Sequence, residues 1–191
     1  MIYLVSSAFK SLVVCVMEGS GMLNKEEIKK IIDEKKLIDG CIDLETQLTP
    51  NGFDLTVGKI YEFDAIGAVD FSNKERVVPE GKELIPEKQK SADKFGWWIL
   101  KTGAYKVRTN ETVNLPNDLV AQAFTRTTLL RMGAFTQHGV WDAGFHGKGE
   151  FVLIVGNPHG IKIKQNARIA QLVFLPTRET EGYKGIYKNL K

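Results

Sequence analysis

The 191-residue chain is 43% apolar and 26% charged, which describes one soluble globular domain able to bury a sizeable core and calls for no second one. A net charge of +3 is too small and too dispersed to argue for nucleic acid, although it suits a small anionic substrate. Cys15 and Cys41 show neither metal-ligand spacing nor a pairing pattern, which fits a reducing, cytoplasmic interior, and His138, His146 and His159 are too scattered for a zinc site.

Residues 1–21 are apolar but broken by Lys10, without a basic leader or a small-residue cleavage pattern. They read as an N-terminal extension of unclear role, neither a signal peptide nor a membrane span. Asn24, followed three residues later by Glu27, reads as a helix cap, and Ile28, Ile31 and Ile32 recur at helical spacing, so one amphipathic helix is predicted to end near Lys36. Beyond it, short runs such as Phe53–Val57, Trp97–Leu100, Leu119–Phe124 and Phe151–Val155 are punctuated by turn signals at Pro50-Asn51-Gly52, Pro79-Glu80-Gly81, Pro116-Asn117 and Gly156-Asn157-Pro158. Such frequent turns argue for an all-β sandwich or barrel. Taken alone, Asp54 is a turn acid opening a strand, residues 85–95 are a solvated loop with a lid as the alternative, and Trp97 and Trp98 are core.

Polar chemistry concentrates between residues 121 and 174. Arg126 offers a planar, permanently charged fork for phosphate oxygens, with Thr127 and Thr128 adding hydroxyl donors. The plainer alternative is an arginine paired to a surface carboxylate, with threonines capping a short helix. Glycines at 139, 144, 147 and 149 let the backbone bend sharply and approach a ligand. Asp142 is the only acid between Asp118 and Glu150, and such a lone carboxylate is either a general base for water or a stabiliser of its own turn. Phe145 either stacks on a sugar or fills the core.

The order Arg-Thr-Thr-Leu-x-Arg-x-Gly from Arg126, Gly-Val-Trp-Asp-x-Gly-Phe-x-Gly from Gly139, Asn157-Pro158, and Ala167-Arg168-Ile169-Ala170-Gln171-Leu172 resembles the dUTPase and dCTP deaminase superfamily, most closely its archaeal dUTPase branch. Four motifs in one order are far more specific than any one of them. The resemblance covers about residues 22–191 and implies a distorted jelly-roll or barrel-like β domain over 22–176, with a C-terminal arm, 177–191, that closes over the nucleotide. It implies a homotrimer with shared sites, Mg²⁺ as cofactor, dUTP as substrate, and neither nucleic acid nor membrane as partner. Asp142 becomes the base. Substrate contacts fall to Arg126, Thr127, Thr128, Arg131 and Gln171 around the phosphates, to the hairpin residues Gln137, His138, Gly139, Val140 and Trp141 around uracil, to Phe145 against the deoxyribose, and to Tyr183 and Tyr187 of the arm. Asp54 matches the acid that holds the magnesium-bound water shell.

The superfamily divides on chemistry: dUTP hydrolysis at the α-phosphorus, or deamination of the pyrimidine of dCTP. Deamination uses a glutamate ten residues past the hairpin aspartate, and that position is Val152, or Ile154 when counted back from Asn157. Neither can shuttle protons. Glu150 lies two positions short, on the right face of a strand but displaced by roughly 7 Å. The sequence therefore points to a dUTP diphosphatase, with dCTP deaminase, alone or combined with dUTPase, as the alternative and a non-catalytic nucleotide-binding trimer as a third reading.

Overall fold

A computed structural model describes residues 21–190, so the leading extension lies outside the described residues apart from Gly21. Helix α1, Lys25–Lys35, begins as the sequence predicts. The Asn24 side chain accepts from Glu27 N at 3.0 Å while the Glu27 carboxylate accepts from Asn24 N at 2.8 Å, a reciprocal pair that satisfies two otherwise orphaned amides. Lys36 ends the helix in the left-handed region, and Ile28 is buried beneath it. A second short helix, α2, covers Leu44–Gln47, capped by Asp43.

The remainder is mostly strand: β1 (Ile38–Asp39), β2 (Leu48–Thr49), β3 (Gly52–Glu62), β4 (Lys82–Leu84), β5 (Trp97–Leu100), β6 (Gly103–Asn114), β7 (Leu119–Thr125), β8 (Ala134–Gln137), β9 (His146–Val155), β10 (Ile161–Lys164) and β11 (Arg168–Pro176). Strand accounts for 42% of the structure and helix for 12%. The principal sheet runs β7-β11-β3-β6-β9-β8, with β1, β2 and β4 on its flanks, and β5 pairs with β10 separately. Its two ends meet. Thr125 Oγ1 donates to Thr136 O and accepts from Thr136 N, both at 2.9 Å, and Ala121 bridges Trp141, so the sheet nearly closes into a barrel. A closed sheet has few free edges to protect.

Strand β6 alternates strictly: Tyr105, Val107, Thr109, Glu111 and Val113 face inward, while Lys106, Arg108 and Asn110 face outward. Its polar content hides it from a search for apolar runs. Its one interior acid, Glu111, is fully buried and accepts from Gln47 Nε2 at 2.7 Å and from the amide and hydroxyl of Thr56 at 3.0 and 2.5 Å. These bonds tie α2, β3 and β6 together next to the register shifts of both long ladders, and burial pushes the Glu111 carboxyl above its ordinary range. Apolar packing by Phe53, Leu55, Val107, Leu153, Leu172 and Phe174 fills the barrel.

Candidate active site

The bend between β8 and β9 is held by backbone bonds. Trp141 and Ala121 exchange both amide–carbonyl pairs at 3.0 Å, and Phe145 N donates to Asp142 O at 3.1 Å. Gly144 sits at φ +76, where a Cβ would come within 2.7 Å of Gly182 Cα, so the close approach of the C-terminal arm requires glycine there. The arm follows this track. Tyr183 N donates to Ala143 O at 2.7 Å, Asn189 N to His146 O at 2.6 Å, and Lys148 N to Leu190 O at 2.9 Å.

Bend and arm together enclose a cavity of about 360 Å³, a size suited to a small molecule. Gly139, Val140, Trp141, Asp142, Phe145, Tyr183 and Tyr187 line it, seven of the residues predicted from sequence. Phe145 packs between Trp141 and Tyr183, with ring centroids 5.6 and 5.8 Å away. Asp142 is exposed to the cavity, and no described residue gives its carboxylate a hydrogen bond or ion pair; the turn is made by its backbone. Its side chain remains available for a ligand.

The walls also include Glu150, weighed above for deamination, and Phe63, Val78, Lys106, Lys148 and Phe151, to which the sequence assigns no site role. The period-two pattern of 103–114 is the signal that could have placed Lys106 on the outer face. Glu150 reaches the cavity despite its register, but Arg108 holds it, with Nε at 2.8 Å and Nη2 at 2.7 Å from Oε1. Val152 and Ile154 follow on the same face.

Two predicted hairpin residues, Gln137 and His138, do not line the cavity. Gln137 is exposed, donating from Nε2 to the His138 carbonyl at 3.4 Å. His138 packs its ring 4.2 Å from Phe151, shares a 2.8 Å bond between Nε2 and Thr136 Oγ1, and buries Nδ1 without a partner among the described residues. Burial pulls its pKa down to about 4, so the ring is neutral at pH 7.

The phosphate candidates do not line this cavity. Thr127–Arg131 form helix α3, with Arg126 at its N-cap and Thr127, Thr128 and Arg131 exposed. Arg126 Nε lies 3.1 Å from Asp54 Oδ2, and its Nη1 donates to the Arg168 carbonyl at 3.2 Å. The plainer reading of Arg126 is thus half realised: it is paired to a carboxylate, though a buried one. Gln171 donates to Thr49 Oγ1 at 2.8 Å.

Asp54, expected to hold the magnesium-bound water shell, is engaged within the chain. It is 1% exposed, and Arg168 Nη1 meets the same Oδ2 at 3.1 Å. Burial pushes its carboxyl upward and the two guanidiniums oppose that shift. A carboxylate already engaged by two cations has little charge to offer the water shell of a hard metal ion. Among the described residues no group of three or more His, Cys, Asp or Glu side chains could hold a metal, and no helix is long and apolar enough to cross a membrane.

A nearly closed β barrel with an acid in a glycine-rich bend is the arrangement that the motifs imply, and the chain belongs to the dCTP deaminase-like family, whose model matches residues 22–177. Within it, the chain is 45% identical to the probable deoxyuridine 5'-triphosphate nucleotidohydrolase of Methanosarcina mazei, over 88% of this chain and 96% of that one. It is 37% identical to the deoxyuridine 5'-triphosphate nucleotidohydrolase of Methanocaldococcus jannaschii, over 75% and 88% of the two chains. Among solved structures, the 2'-deoxycytidine 5'-triphosphate deaminase of Agrobacterium tumefaciens shares the fold with a TM-score of 0.59 at 21% identity, across 81% of this chain and 48% of that chain.

Proposed function

We propose that the chain hydrolyses dUTP to dUMP and pyrophosphate, with Asp142 as the base. The observation that carries this reading is the unpaired Asp142 carboxylate in a cavity walled by aromatic rings and a bent backbone. It agrees with the activity for which the archaeal relatives are named. Asp142 orients and deprotonates water for attack on the α-phosphorus; the bond to the pyrophosphate oxygen breaks and pyrophosphate leaves. The bend from Gln137 to Trp141 presents backbone donors and acceptors to uracil, Phe145 packs on the deoxyribose, and Tyr183 and Tyr187 close the cavity.

Arg126, Thr127, Thr128, Arg131 and Gln171 offset charge on the triphosphate. Because they lie outside the cavity of their own chain, the complete site is read as shared between subunits of a homotrimer, with Arg126 of one chain serving the cavity of another. Asp54, already held by Arg126 and Arg168, does not suit a resident metal site, so Mg²⁺ would arrive with the triphosphate and offset its charge.

Pyrophosphate and ammonia release from dUTP and from dCTP, each with and without Mg²⁺, test the reading. Pyrophosphate from dUTP without ammonia from dCTP is expected. Ammonia from dCTP would make Glu150 the proton shuttle after all, and no product from either nucleotide would leave a binding protein.

A further inference from the structure

We propose that Lys106 is a specificity-determining residue that donates to the 4-oxygen of uracil and so selects uracil over cytosine nucleotides. The inference rests on the site being a pyrimidine nucleotide site, as read above. Lys106 projects from the outer face of β6 into the wall of the cavity that holds Asp142 and the bend, and its side chain is only 13% exposed. Withdrawing an ammonium from water is costly unless its protons find acceptors.

Its partners within the chain are weak. Pro79 O is 3.4 Å away, Glu150 Oε2 is 4.0 Å away, and the Tyr61 ring centroid lies at 4.9 Å. Glu150 does not depend on it, since Arg108 already makes the short contacts to that carboxylate. The ammonium therefore has donor capacity to spare and faces a cavity.

A ligand acceptor is what that donor matches. The surrounding Phe145, Phe151 and Tyr183 suit the flat ring of a nucleotide better than its triphosphate, and the arginine and threonine candidates for phosphate lie elsewhere. Uracil presents a carbonyl oxygen at ring position 4, where cytosine presents an amino group. Lysine is donor only, so it meets an acceptor in one base and a second donor in the other. Its cross-strand partner, Val152, is apolar, and the nearby Glu150 carboxylate is already engaged by Arg108.

The test is calorimetric binding of the α,β-imido analogues of dUTP and dCTP, which reads selectivity independently of turnover. The wild type is expected to prefer the uracil nucleotide. Lys106→Met, which keeps the aliphatic stem, should shrink that preference by about 10- to 100-fold, the range for a charge-assisted hydrogen bond, while Lys106→Arg should keep most of it. Lys106→Gln, whose amide can turn to accept from cytosine, should also level the two affinities and serves if the Met variant does not fold. Equal binding of both nucleotides by the wild type, or an equal loss of both in the variants, would overturn the assignment. Absence of pyrophosphate release from dUTP would remove the hydrolase reading and leave the selectivity result standing.

Discussion

Two aspartates, each close to a glycine turn in the sequence, occupy opposite environments. Asp142 faces the cavity with its carboxylate unpaired among the described residues, whereas Asp54 is sealed in the sheet between Arg126 and Arg168. One is free to act on a ligand; the other spends its charge on holding the N-cap of α3 to β3 and β11. The same side chain is thus a reagent or a rivet according to what packs around it. The Asp54 clamp also holds Arg126, one of the residues assigned to phosphate, in place.

The largest expected effect lies on the open side. Asp142→Asn should lower kcat by roughly two to four orders of magnitude with little change in nucleotide affinity, measured by pyrophosphate release and by calorimetry. Retained turnover would move the base elsewhere. On the sealed side, Asp54→Ala should cost about 4 kcal/mol of stability in chemical denaturation, because it leaves two guanidiniums facing each other across an emptied pocket. A loss below about 1 kcal/mol would show that the clamp is incidental.

His138 connects the comparison to pH. Its folded pKa, about 4, lies below the ordinary 6.5, so the unfolded chain binds the proton more readily. This contribution to stability is complete above pH 6.5 and is lost as pH falls toward 4, to a limit of about 3 kcal/mol. Denaturation midpoints followed across that window should fall with acid, and His138→Phe should flatten the part due to this ring. The smallest effect is expected at the seam between bend and arm. Gly144→Ala would strain a backbone at φ +76 and push the arm from its track, raising KM roughly tenfold with kcat less affected. An unchanged KM would mean that the arm's seat does not matter for binding.

Much of the fold was legible. The Asn24–Glu27 cap, the isoleucine spacing after it and the density of turn signals gave one helix followed by a β domain, because each depends on local chemistry. Strand β6 was harder to see, since Lys106, Arg108, Asn110 and Glu111 are polar and only the alternation of their neighbours marks it. At the site, Gly139, Val140, Trp141, Asp142 and Phe145 were readable as one contiguous segment. Lys106 and Glu150 reach the same cavity through cross-strand pairing between β6 and β9, which no spacing within either segment reveals.

By itself the sequence determined the capped helix, the all-β class and the identity of the acid in the bend, because these follow from short-range patterns of caps, turns and ordered motifs. Tertiary structure alone decided which charges meet. Asp54, Arg126 and Arg168 come from three different strand ends and converge only when β3, β7 and β11 pair, and that convergence assigns Asp54 to the arginines while leaving Asp142 open. Electrostatic partnership depends on distances of a few ångströms and on exclusion of water, neither of which is fixed until the sheet closes.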